Sequence, residues 1–103
     1  MAFEIIWTAG AEADLQRLYD QIGDHDLALQ VLHQPLEHIL SLLSEYPGIG
    51  AVVRGTRRVR RVLAGPRMKY GLFYVEEGRR IMVHVLMDMR EDPQVLRRRL
   101  AGM

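Results

Sequence analysis

The chain has 103 residues, 49% of them hydrophobic and 26% charged, and no cysteine. That length can bury a usable core without staples, and the lack of cysteine excludes disulfides and thiolate–metal sites. The net charge of +1 hides a split, because residues 1–50 net −7 and residues 51–103 net +8, an asymmetry that hints at an anionic partner.

No stretch reads as a signal peptide or reaches the length of a membrane span, so a cytoplasmic protein with one domain over residues 1–103 is expected. Residues 3–7 are β-rich and read as a short strand, with Thr8 placed to cap a helix directly after it. Ala11, Leu15, Leu18, Tyr19 and Ile22 then recur at the spacing of one helix face, and Gly23 suits the residue just past its end. Glu12 and Asp14 sit near the start of this helix, where its dipole favours acids.

Asp24 or Asp26 can cap a second helix running to about Tyr46. Pro35 lies inside it and predicts a kink, with two short helices broken near Gln34 as the alternative. The two helical segments form an antiparallel hairpin, stopped by Tyr46-Pro47-Gly48-Ile49-Gly50.

The period then changes. Residues 57–63, 68–75 and 80–87 read as three strands separated by Ala64-Gly65-Pro66 and Glu76-Glu77-Gly78. In the last strand Ile81, Val83, Val85 and Met87 are expected on one face, and the other face is also mostly apolar, as in a central strand. Asp92 followed by Pro93 starts a short helix that ends before Gly102. The expected fold is α+β in the order β-α-α-β-β-β-α, with the helices on one face of a mostly antiparallel four-stranded sheet.

The strongest chemical feature is the run from Arg54 to Arg61, which holds five arginines. Strand alternation would send Arg58 and Arg60 to one face and Arg57 and Arg61 to the other. Arginine forks match phosphate and carboxylate; a solvated strand kept from edge pairing by its charge is the bland alternative. Arg97, Arg98 and Arg99 form a second group, which the dipole of the last helix would also favour. His33 and Glu37 stand four apart on a helix but lack a third metal ligand, so a surface pair is expected and no metal. His84 and Asp88, closed by Arg90, could do acid–base work on a phosphate; a core histidine is the other reading of His84. There is no glycine-rich phosphate loop and no nucleophile elbow, and no cofactor is expected.

Three landmarks are familiar in order and spacing. They are Ile6-Trp7-Thr8 with Ala11-Glu12-Ala13-Asp14-Leu15; Leu43-Ser44-Glu45-Tyr46-Pro47-Gly48-Ile49-Gly50; and Tyr70-Gly71-Leu72-Phe73-Tyr74 with the run from Ile81 to Arg90. Together they resemble the RelE/ParE superfamily of toxins from bacterial type II toxin–antitoxin pairs, and most nearly its ParE branch, over almost the whole chain. The resemblance implies a toxin neutralised by a cognate antitoxin in a hetero-oligomer, as in plasmid stabilisation. ParE-type members bind DNA gyrase, whereas RelE-type members cut mRNA on the ribosome. A RelE-like reading would need Arg61, Lys69, His84 and Arg90 as its catalytic set. Gly71 stands where an arginine is common, Val62 and Ala64 fall at usual basic positions, Asp88 replaces a frequent histidine, and no tyrosine follows Arg90. A gyrase-binding toxin is therefore expected, with Arg57, Arg58, Arg60, Arg61, Arg90, Arg97, Arg98 and Arg99 meeting target or antitoxin. A non-toxic binding module of the same fold is the remaining alternative.

Overall fold

A computed structural model describes residues 2–103. Helix α1 (Ala9–Ile22) starts where the Thr8 side chain accepts the Ala11 N–H at 3.2 Å, and ends at left-handed Gly23. Asp24 caps α2 (His25–Ala28) by accepting the Leu27 N–H at 2.9 Å. A π turn (Leu29–His33) then leads into α3 (Gln34–Glu45). The helix runs on past Pro35 as expected, and the alternative break near Gln34 is absent, since Leu29, His33 and Gln34 all keep right-handed helical dihedrals. Proline removes one donor and crowds the carbonyl four residues back. Here the turn before it widens, with the Gln34 N–H bonding to the Leu29 carbonyl, so the helix continues.

The sheet has five strands rather than four: β1 (Glu4–Trp7), β2 (Ala51–Val52), β3 (Arg60–Ala64), β4 (Tyr70–Glu77) and β5 (Arg80–Asp88), in the spatial order β1-β5-β4-β3-β2. β1 pairs parallel with β5, and the other pairs are antiparallel. The extra strand is β2, whose two residues are too few to show alternation. Arg57 and Arg58 are not strand residues. The Val53 N–H bonds to the Val59 carbonyl at 2.8 Å and closes a loop that carries both arginines. Similarly β4 begins at Tyr70, because residues 66–68 form a tight 3-10 turn.

Phe73 pairs with Val85 but Tyr74 pairs with Val83, so His84 is an extra residue in β5. This bulge switches the faces of the strand. Ile81 and Val83 join the core under the helical hairpin, whereas Val85 and Met87 join the opposite one, against the expected single face. Leu18, Leu32, Leu36 and Leu43 pack on Val62, Leu72, Tyr74, Ile81 and Leu86. On the other face α4 (Pro93–Ala101) lays Val95, Leu96 and Leu100 over Val59, Phe73, Val75, Val85 and Met87. Helices therefore cover both faces, which also corrects the expected one-sided arrangement.

Two polar devices tie the layers together. The Tyr74 hydroxyl donates to the Pro47 carbonyl at 2.6 Å and accepts the Gly50 N–H at 3.0 Å, while Arg60 Nη1 donates to the Gly50 carbonyl at 2.7 Å. A Cβ on Gly50 would lie 2.6 Å from that hydroxyl, so the close approach requires glycine. Tyr74→Phe leaves the buried Gly50 N–H unpaired and is expected to cost about 1–3 kcal/mol in denaturant unfolding. A smaller loss would mean water replaces the hydroxyl.

The second device is an ion pair at the edge of β5, just past the point where β1 ends. Asp14 is 5% exposed. Its carboxylate accepts both Arg99 guanidinium arms at 2.8 and 2.9 Å and the Leu86 N–H at 3.0 Å. Arg99 also donates to the His84 carbonyl at 3.2 Å, so one pair joins α1, the bulge and α4.

Candidate functional site, a groove and an arginine face

Where α1 and α2 meet the ends of β4 and β5, a groove of about 480 Å³ opens. Leu18, Ile22, Leu27, Val31 and Tyr70 give it an apolar lining, and Lys69, Asp88 and Arg90 form a charged lip. Leu27 is 48% exposed, an unusual position for a leucine beside a groove.

The lip is internally neutralised. Arg90 grips Asp88 through Nε at 3.2 Å and Nη2 at 3.1 Å, and its own backbone N–H adds a bond of 2.9 Å. Lys69 Nζ lies 3.6 Å from the same carboxylate and 5.2 Å from the Tyr70 ring centre. Burial alone would push the Asp88 carboxyl up. The bonds from Arg90 and the charges of Arg90 and Lys69 outweigh it and hold the group below the ordinary carboxylate range. Asp88 is thus an ionised anion near neutrality, with no proton to give.

The turn beside the lip is strained. Arg67 and Met68 both adopt left-handed dihedrals, with φ of 58° and 55°. Each costs on the order of 1–2 kcal/mol for a side-chain-bearing residue. The Met68 N–H to the Gly65 carbonyl (3.1 Å) and the Met89 N–H to the Lys69 carbonyl (2.7 Å) hold it in place. Met68 is left 61% exposed.

The residues needed for an RNA-cutting centre do not come together. Lys69 and Arg90 meet at Asp88. His84 lies four strand residues away, about 13 Å along β5, and its carbonyl serves Arg99. Arg61 pairs opposite Phe73 and so shares the face that α4 covers. At Gly71 a Cβ would overlap the Met89 sulfur, so a side chain there would have to displace Met89. His33 bonds Glu37 through Nε2 at 2.8 Å and the Tyr19 hydroxyl through Nδ1 at 3.0 Å, a surface tie between α1 and α3. Among the described residues no group of three His, Asp or Glu could hold a metal.

The arginines divide by role. Arg60 and Arg99 are occupied in holding the fold, and Arg90 in neutralising Asp88. Arg57, Arg58, Arg61, Arg97 and Arg98 are exposed. Arg58 reaches the Glu76 carbonyl at 3.3 Å and Glu77 at 3.9 Å. Sequence reasoning missed Asp14, whose position in phase with Ala11 and Leu18 placed it on the buried stripe of α1.

These features define a small α+β protein with a hairpin on one sheet face, a lone helix on the other and an open apolar groove between hairpin and sheet. The model of the ParE toxin of the type II toxin–antitoxin system, parDE, matches residues 5–93, and the chain belongs to that family. No curated protein matches it. No helix among the described residues is long and apolar enough to cross a membrane.

Proposed function

We propose that this toxin acts by binding, with DNA gyrase as its target, and that a cognate antitoxin silences it by laying an amphipathic helix in the groove. The observation that carries this reading is the dispersal of the cations. Arg60, Arg90 and Arg99 are committed to internal partners, and Arg57, Arg58, Arg61, Arg97 and Arg98 lie apart from Lys69 and Asp88, on the β2–β3 loop, β3 and α4. A phosphodiester-cutting centre instead gathers cations and a proton-transfer group around one reacting atom. The groove suits a helix whose apolar positions recur at three- and four-residue intervals. Arg57, Arg58, Arg61, Arg97 and Arg98 are the residues assigned to target contact.

The alternative, a RelE-like ribosome-dependent endoribonuclease, is favoured by one feature, the meeting of Lys69 and Arg90 with Arg67 beside them. Induction of the wild type and of a Lys69→Ala/Arg90→Ala variant separates the two. Growth arrest in both, with no site-specific cuts in translated mRNA, is expected. Cuts made by the wild type and lost in the variant would establish cleavage instead.

A further inference from the structure

Folding gathers arginines that are far apart in sequence. Arg57 and Arg58 come from the β2–β3 loop, Arg61 from β3, and Arg97 and Arg98 from α4, and all five are exposed. The loop and the end of α4 meet at a depression of about 280 Å³ lined by Arg57, Arg58, Leu100 and Met103. Arg61 lies on the same face of the sheet as Phe73, which α4 covers. Of the five, only Arg58 has a carboxylate within 4 Å among the described residues, Glu77 at 3.9 Å. Six of the exposed acids, Glu12, Asp20, Asp24, Asp26, Glu37 and Glu45, belong to the hairpin on the opposite layer, whereas Glu4 lies in β1, Glu76 and Glu77 end β4 and Asp92 caps α4. The hairpin layer thus holds most of the exposed acids, and the five arginines gather on the α4 side of the sheet.

We propose that the α4 face binds the phosphate backbone of double-stranded DNA. All five cations are arginines, whose planar forks take phosphate oxygens in pairs. A single strand is gripped by stacking its bases on exposed aromatic rings. Among the described residues Tyr46 is the one exposed aromatic, at 59%, and it lies at the end of α3 in the other layer. Contacts on the α4 face are therefore to phosphates and carry no base readout. The inference deepens the gyrase reading, on which it rests for its biological setting, because gyrase presents a duplex beside its own surface. The DNA grip itself is a property of the free toxin.

The test is fluorescence anisotropy of a labelled random-sequence duplex with the full chain, without gyrase, over a salt series. Sequence-independent binding is expected, with log K falling against log salt at a slope of about −4.5, since each phosphate neutralised by one of the five arginines contributes roughly −0.9. Arg57→Ser/Arg97→Ser should flatten that slope by about 2, while far-ultraviolet circular dichroism and antitoxin binding stay unchanged. No binding at low salt, tighter binding to the single strand, an unaltered slope in the variant, or retention of an acidic peptide but not of DNA would each overturn the proposal. Inhibition of gyrase without DNA binding removes this inference alone. DNA binding without gyrase inhibition removes the gyrase reading alone.

Discussion

Replacing Asp14 with alanine is expected to lower the unfolding free energy by roughly 3–5 kcal/mol, the range for breaking a buried ion pair from one side. The Arg99 side chain is 33% exposed, so its guanidinium would lose its two best partners without full return to water. The Leu86 N–H would lose its acceptor as well. A protein of this size holds about 5–15 kcal/mol in all, and each kcal/mol moves its midpoint by about 4–8 °C. Asp14→Asn keeps an acceptor for Leu86 and should fall between the two. Arg98→Ala, on the exposed side of the same helix, should change stability by no more than about 0.5 kcal/mol. Urea melts of the three variants read this directly. A cost below about 1 kcal/mol for Asp14→Ala would show that α4 is held by Val95, Leu96 and Leu100 alone. The pair also bears on function, since it fixes the helix that carries Arg97 and Arg98.

The second large effect falls on antitoxin binding. Leu27→Glu should leave stability within about 0.5 kcal/mol, because the side chain is already half exposed. In the complex it would bury a charge against an apolar helix at the centre of the contact. Truncating or disrupting such an anchor costs about 2–4 kcal/mol, a loss of roughly 30- to 1,000-fold in affinity. Calorimetric titration with the purified antitoxin measures it, and the variant should escape rescue by the antitoxin in cells while remaining toxic. Unchanged affinity would place the antitoxin elsewhere.

Local chemistry made much of the fold legible. Thr8, Asp24 and Asp92 cap the helices they were expected to cap, and Gly23 adopts the left-handed geometry that ends α1. These signals act within a few residues and need no tertiary context. The departures have the opposite character. The bulge at His84 leaves no mark in a strand that is apolar on both sides, yet it moves Val85 and Met87 to the other core. Pro35 forbids an ordinary helical bond but not a wider turn. Arg57 and Arg58 alternate like a strand, but a bond from Val53 to Val59 makes them a loop.

For the candidate site the limit was partner choice. Eight arginines read alike in the sequence. Which of them remain available was decided by where folding puts acceptors: Asp14 for Arg99, 85 residues away, the Gly50 carbonyl for Arg60, ten residues away, and Asp88 for Arg90. The sequence shows the amphipathic hairpin but not the groove beside it. Its charged lip depends on strands β4 and β5 bringing Lys69 beside Asp88 and Arg90.

The most direct test of the account is a supercoiling assay with purified gyrase, relaxed plasmid and the toxin. The toxin should inhibit supercoiling in proportion to its concentration, the antitoxin should relieve that inhibition, and reversing charge at Arg58 and Arg98 should weaken it. Full supercoiling at toxin concentrations well above that of gyrase, together with site-specific cleavage of translated mRNA by the same preparation, would contradict it.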